Sequence, residues 1–240
     1  MMLQSSRREE VHLWRSSTRL SPGLISDLEP LLSREERDKA ARFRRDTDRQ
    51  RYVAAHAMLR LVLGGYVDAT PESLVFGTGQ HGKPTLEHDS GLFFNLAHSG
   101  DVALLAVCRG SAVGADVEQI RDDIDVPAME RSVFSESELQ MLGDEPLEER
   151  RRFLFETWVR KEAVLKACGL GLSLEPRKLT IRGDAVGADG TTWGLHSIQI
   201  GAGYAAAVAA PGTKWSLSCF EHRWTAVTSC RGAPGSDNPA

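Results

Sequence analysis

The stretch from Phe155 to Gly169, Phe-Glu-Thr-Trp-Val-Arg-Lys-Glu-Ala-Val-Leu-Lys-Ala-Cys-Gly, constrains this chain most. Helix formers follow one another without a break, and Gly169 is placed to end the run as a C-terminal cap. Trp158, Glu162 and Lys166 are spaced i, i+4, i+8 and share one lane of that helix. Phe155, Val159 and Ala163 form the neighbouring, apolar lane. A carboxylate and an ammonium are therefore held at the edge of a core-facing surface. Taken alone, Glu162 and Lys166 are an ordinary surface ion pair; a functional reading needs partners elsewhere.

One set of partners lies on a strand. In Val113-Gly-Ala-Asp-Val-Glu118 the residues Val113, Ala115 and Val117 alternate with Gly114, Asp116 and Glu118, so the two acids point to one face, about 7 Å apart. Like charges so placed repel. Either that face is solvated or a cation lies between them.

The rest of the chain supplies a scaffold. Val11 to Trp14 reads as a short strand and Ser21-Pro22-Gly23 as a turn. Leu24 to Arg45 reads as one or two helices, with Ser33 and Glu36 forming a capping box. Arg49 to Leu63 predicts a buried helix closed by Gly64-Gly65. Leu74 to Phe76 is a strand candidate, and Gly77 to Leu86 a Gly-rich loop carrying Lys83; because Pro84 follows that lysine, the loop lacks P-loop spacing and reads as a hairpin. Leu92 to Gly100 starts as a strand and ends in a polar turn, and Val102 to Cys108 is an apolar strand. After an acidic linker over 121–126, Pro127 opens a helix through Val133, and Ser135 with Glu138 caps another. Leu179–Ile181, Trp193–Ile200, Tyr204–Ala209 and Trp215–Phe220 are strand candidates. Residues 231–240 have the composition of a disordered tail.

Each half runs from helical segments to short strands, Val102–Cys108 in the first answering Tyr204–Ala209 in the second. The expectation is an α+β fold of two similar halves, residues 1–115 and 116–228, with 229–240 as a tail and a ligand cleft between the halves. A length of 240 residues suits two units of that size. The net charge of −4 gives no global basic field for nucleic acid or an anionic membrane. The N-terminus reads as no secretory signal, no stretch approaches the roughly 20 apolar residues of a membrane span, and the four cysteines lack zinc spacing. A cytoplasmic, reduced setting is expected.

Asp116, Glu118 and Glu162 make an all-oxygen donor set of the kind that suits Mg²⁺. Phosphate-binding candidates are Lys166, His98, Lys83 and the basic group Lys39, Arg42, Arg44, Arg45, Arg49 and Arg51. A hard cation beside a lysine and further basic groups fits a polyphosphate substrate. At this level a phosphoryl-type transferase and a metal-dependent nuclease or hydrolase both remain open.

Four segments together carry a resemblance: Gly82-Lys83-Pro84, Phe94-Asn-Leu-Ala-His-Ser-Gly100, Val113-Gly-Ala-Asp-Val-Glu118 and Trp158-Val-Arg-Lys-Glu-Ala-Val-Leu-Lys166. In this order and spacing, over roughly residues 36–172, the chain resembles the 4′-phosphopantetheinyl transferase superfamily, specifically its larger, monomeric, Sfp-like type. The resemblance implies two halves related by a pseudo-twofold, with the active site at their interface. It implies transfer of the phosphopantetheine arm of coenzyme A to a serine of an acyl, peptidyl or aryl carrier protein, releasing 3′,5′-adenosine bisphosphate. Asp116, Glu118 and Glu162 match the Mg²⁺ ligands (Mn²⁺ being the alternative ion), and Lys166 the lysine at the pyrophosphate and leaving group. His98 matches a phosphate contact, Lys83 and Pro84 the adenine-side loop, and Arg51 and Lys39 contacts to the 3′-phosphate. Trp158 matches an aromatic supporting the catalytic helix, and Glu138 a further acidic position. Asp116, Glu162 and Lys166 are the catalytic candidates, with Glu162 as proton acceptor. Two departures stand out: Ala97 replaces a frequent serine, and Glu36 replaces a basic residue of some relatives, which predicts a weaker grip on the 3′-phosphate. The segment from Val126 to Leu142 is expected to face the carrier. The rival readings are a non-catalytic coenzyme A or carrier-binding module and a nuclease.

Overall fold

The computed structural model describes residues 9–79, 82–87, 91–169 and 174–224. In chain order the elements are β1 (Glu10–Ser17), α1 (Pro22–Leu28), α2 (Arg34–Ala40), α3 (Asp46–Val67), β2 (Phe76–Thr78), β3 (Pro84–Leu86), β4 (Leu92–Ser99), β5 (Val102–Arg109) and β6 (Gly114–Gln119). They continue as α4 (Val126–Val133), α5 (Glu136–Leu142), α6 (Leu147–Cys168), β7 (Ala185–Ala188), β8 (Thr191–Ser197), β9 (Tyr204–Pro211) and β10 (Ser216–Glu221). The fold is mixed α+β. Two four-stranded sheets, ordered β10-β1-β5-β4 and β6-β9-β8-β7, are accompanied by the small β2-β3 hairpin.

The alternation of each strand decides the layering. Val11, Leu13, Leu104 and Ala106 of the first sheet meet Val113, Ala115, Val117 and Val208 of the second in one dry core between the sheets. The outer face of the first sheet packs under α3 through Phe94, Leu105, Ala55 and Leu59. That of the second packs under α6 through Leu195, Ala207, Val159 and Ala163. The result is a helix–sheet–sheet–helix stack whose two long helices each have 22 residues.

Both capping boxes form as expected: Ser33 and Ser135 each accept from, and are reached back by, the glutamate three residues on. Several boundaries differ from the sequence reading. Ser21-Pro22-Gly23 is the start of α1, with Ser21 as N-cap and Pro22 as the first helical residue, where its missing N–H costs nothing. The helix α3 runs through Gly64-Gly65 and ends at Asp68, which takes a left-handed φ of 52°. Gly64 is required there because a Cβ would strike the carbonyl of Ala69. The strand expected at Leu74–Phe76 begins only at Phe76, and β4 stays extended through Ser99 before the chain turns at Gly100. Leu179–Ile181 is no strand: it follows a 3₁₀ turn (Pro176–Lys178) that brings Leu179 into the core, and the neighbouring strand is β7, which the sequence reading lacked. Linking the halves, β10 returns to pair in parallel with β1, Glu10 opposite Ser216, and residue 115 lies within β6. The expected tail, residues 229–240, lies outside the described residues.

Candidate active site

Helix α6 can lie close on β6 because of Gly114. A Cβ at that position would run into the Ala163 carbonyl and the Ala167 backbone, so only glycine allows this approach. The consequence is chemical: two residues further on, Asp116 comes under the Glu162–Lys166 lane of α6. Lys166 donates from Nζ to Asp116 Oδ1 at 2.5 Å. Asp116 is 4% exposed, and its Oδ2 is buried without a hydrogen-bond partner. Burial therefore pushes its carboxyl up to about 7, against the pull of Lys166 and with added pressure from the charges of Glu118 and Glu162.

Glu162 is likewise raised, first by burial; Lys166 and a hydrogen bond from Trp158 oppose this, and Glu118 adds to it. Trp158 thus holds the carboxylate as well as packing beside it. Glu118 accepts from the Ser99 hydroxyl at 2.8 Å. The three acids repel one another across this centre, and among the described residues Lys166 is the cation bonded to one of them. Among the described residues no three acidic, histidine or cysteine side chains converge tightly enough to form a ready metal cage. The donor set nonetheless fits a hard cation. Its oxygens are anionic, one of them is orphaned in the interior, and a divalent ion would relieve both the repulsion and the missing partner.

A cleft of about 400 Å³ opens beside this centre, walled by Lys83, Pro84 and Asn95 on one side and Glu162, Lys166 and Pro176 on the other. A second hollow of about 520 Å³ shares Lys83, Pro84 and Gly169 with it. A larger hollow of about 590 Å³, beside His196 and Trp215, contains none of the candidate residues. It lies apart from the chemistry.

The basic candidates are placed as follows. His98 lies on β4, in register with Phe94 and Leu96 on the face toward α3. Desolvation and the surrounding charges of His56, Lys166, Lys39 and Arg51 hold its imidazole down to about 4, so these cations share one neighbourhood. Arg51 donates to Asp101 Oδ1 at 2.8 Å, beyond the end of β4. Lys39 is exposed, 5.3 Å over the ring of Tyr52. Arg49 is engaged by Glu29 and Asp46, so it braces α3 against the preceding turn. Lys83 donates to the carbonyls of Val113 and Ala167 at 2.9 and 3.0 Å, and burial lowers its ammonium to about 8.

Two acidic residues have structural partners. Glu36 accepts from Ser33 N–H and Arg60 Nε and is 2.8 Å from His56 Nδ1. Burial opposes ionisation there, but these contacts hold its carboxyl down to about 2. Glu36 is thus an anchor between α2 and α3. Glu138 takes Lys161 Nζ at 2.5 Å, Ser135 N–H and Ile181 N–H. The sequence reading passed over Asn95 and Ser99, although both stand within its second motif; their alternation with Phe94, Leu96 and His98 on β4 was the available signal.

Profile comparisons match residues 22–110 to the N-terminal part of a 4′-phosphopantetheinyl transferase and residues 112–209 to the 4′-phosphopantetheinyl transferase superfamily. The chain is 36% identical over 168 residues to the 4′-phosphopantetheinyl transferase HetI of Nostoc sp., covering 69% of this chain and 71% of that protein. It is 35% identical over 158 residues to the 4′-phosphopantetheinyl transferase psf-1 of Bacillus pumilus, covering 66% of each. A putative 4′-phosphopantetheinyl transferase of Synechocystis sp., slr0495, is 32% identical over 152 residues, or 62% of each chain.

Proposed function

Because the chain belongs to the 4′-phosphopantetheinyl transferase superfamily, we propose that it moves the phosphopantetheine arm of coenzyme A onto a serine of a carrier protein domain. The observation that carries this reading is the half-satisfied centre Asp116–Lys166, set against Glu118 and Glu162 at the edge of the cleft. Among the described residues Asp116 is the one buried carboxylate with an orphaned oxygen; Arg151 and Arg160, also in ion pairs, each leave only Nε without a partner. Asp116, Glu118 and Glu162 would hold Mg²⁺, which when bound supplies positive charge to a pyrophosphate.

Lys166 is poised at the same place. Its ammonium, now on Asp116 Oδ1, is the chain's own cation for the oxygens that gain charge as the leaving group departs. In the reaction the serine oxygen bonds to the β-phosphorus of coenzyme A, and the bond from that phosphorus to the bridging oxygen breaks, releasing 3′,5′-adenosine bisphosphate. The serine proton goes to a nearby base, and we assign Glu162, whose carboxyl burial already favours proton uptake. Arg51 and Lys39 supply positive charge for the 3′-phosphate, and His98, neutral at pH 7, offers a ring N–H to a coenzyme A phosphate, while the loop carrying Lys83 and Pro84 walls the adenine side. The protein works as a monomer in the cytoplasm and has no nucleic acid or membrane partner. No described helix is long and apolar enough to cross a membrane.

The segment from Val126 to Leu142 is proposed to receive the carrier; of the apolar residues Met129, Val133, Phe134 and Met141 that the sequence offers for this surface, Met141 is the exposed one. Val133 and Phe134 are buried against Leu154, whereas Leu139 and Met141 are exposed. Charged substitution of Met141 is expected to raise the KM for the carrier and leave that for coenzyme A unchanged. The function itself is tested by weighing an apo-carrier after incubation with this protein, coenzyme A and Mg²⁺. A gain of one phosphopantetheine is expected; unchanged mass across peptidyl, acyl and aryl carriers, with coenzyme A still bound, would instead make the protein a binding module.

A further inference from the structure

Strand β6 carries two of the three site carboxylates, yet it is an edge strand. On one side it pairs with β9. Within that ladder Gly114, Asp116 and Glu118 stand opposite Ala209, Ala207 and Ala205, and the same register continues to Ile120, whose N–H reaches Gly203 O at 2.8 Å. Even-numbered residues thus point their backbone groups into the sheet, and odd-numbered ones point theirs outward. Unpaired outward groups on a buried edge are costly and let a strand shift.

Side chains from the other half occupy that edge. The Lys83 ammonium donates to Val113 O at 2.9 Å, Ala115 N–H donates to Asn95 Oδ1 at 2.8 Å, and Gln119 N–H donates to Ser99 Oγ at 3.1 Å. All three partners are odd-numbered positions of the edge. Lys83 extends the fastening to α6 through Ala167 O, and the Ser99 hydroxyl donates in turn to Glu118 Oε2. Nearby, Asp101 N–H donates to the Tyr204 hydroxyl of β9 at 3.0 Å. In place of a neighbouring strand's backbone, this edge is bonded by three side chains.

We propose that Asn95, Ser99 and Lys83 are positioning residues that act through β6: they fix the register of the edge and thereby the location of Asp116 and Glu118 under α6. The catalytic meaning of that placement rests on the transferase reading above; the fastening itself does not. Lys83 in particular spends its donors on backbone carbonyls, and its reduced basicity agrees with an ammonium withdrawn from solvent.

The test is amide hydrogen exchange on the full, unliganded chain, read at Ala115 and Gln119, alongside coenzyme A binding by calorimetry. Asn95→Ala should speed exchange at Ala115 about tenfold, and Ser99→Ala should do the same at Gln119. Lys83→Met should loosen the start of β6 and the end of α6 together, with Lys83→Arg restoring most of the protection. Coenzyme A affinity should change by less than about threefold in Ser99→Ala, while the Mg²⁺ concentration needed for half-maximal transfer rises about tenfold. Unchanged exchange at Ala115 and Gln119 would overturn the proposal, as would a tenfold loss of coenzyme A affinity without faster exchange. Because exchange needs no turnover, accelerated exchange in a protein that modifies no carrier would sink the transferase reading and leave the fastening intact.

Discussion

Helix α6 presents two lysines to two buried carboxylates, and the pairs are built differently. Lys161 is fully buried on the side facing α4 and α5, where its Nζ donates to Glu138 at 2.5 Å and to Val133 O at 2.7 Å. Glu138 uses its remaining capacity on two backbone N–H groups. Lys166, five residues on, meets Asp116 at the same 2.5 Å, but Asp116 keeps one oxygen unpaired and stands near two further acids. The first pair meets the requirement that a buried charge be matched and hydrogen-bonded. The second falls short of it in the place where a cation and a phosphate would complete it. Distance does not separate these two pairs; the satisfaction of the carboxylate does.

The largest effect on stability should come from spoiling the complete pair. Lys161→Met leaves Glu138 buried without its counter-charge and is expected to cost about 3–5 kcal/mol in urea unfolding at pH 7. Adding Glu138→Gln should return part of that loss, because the uncompensated charge goes. If Lys161→Met were as stable as the parent, the distinction between the two lysines would collapse.

A second complete cluster sharpens the comparison through pH. Glu36 has a folded-state carboxyl held near 2, below its ordinary 4.5, so its stabilisation is present above pH 5 and fades as pH falls through 2. That span is worth roughly 3 kcal/mol for a group this well covered. Glu36→Gln should flatten the acid limb of the stability curve measured between pH 5 and 2; a limb of unchanged steepness would remove Glu36 from the anchor role. The smallest effect belongs to the exposed face of α6. Arg152 lies 3.5 Å from Glu156 and 4.0 Å from Glu149, all more than half exposed. Arg152→Ala should shift stability by no more than about 0.5 kcal/mol, checked by the same urea titration.

What the sequence disclosed follows from how local each signal is. The capping boxes at Ser33 and Ser135 were legible because donor and acceptor lie three residues apart. The shared lane of Glu162 and Lys166, and the common face of Asp116 and Glu118, followed from the helical and strand periods. Gly64-Gly65 misled because glycine both ends helices and permits close packing, and only the fold shows that Gly64 does the second. Gly114 belongs to the same kind: it reads as a motif letter until α6 is seen lying on it. The Lys161–Glu138 pair, the Asn95 contact to β6 and the parallel return of β10 join positions 23, 20 and about 200 residues apart, beyond any local period. Glu36 was expected to weaken the basic group. Its partners Arg60 and His56 show that it also anchors α2 to α3, a role no local pattern disclosed.

The most direct measurement is made on Asp116→Asn, weighing the carrier for transfer and following urea unfolding on the same preparation. The account predicts at least a hundredfold loss of transfer, of the order seen when a charge-stabilising group is removed from a reacting centre, with stability close to the parent because the buried carboxylate is only half satisfied and Lys166, one-third exposed, keeps its access to water. Near-normal transfer, or a loss of stability as large as that of Lys161→Met, would contradict it.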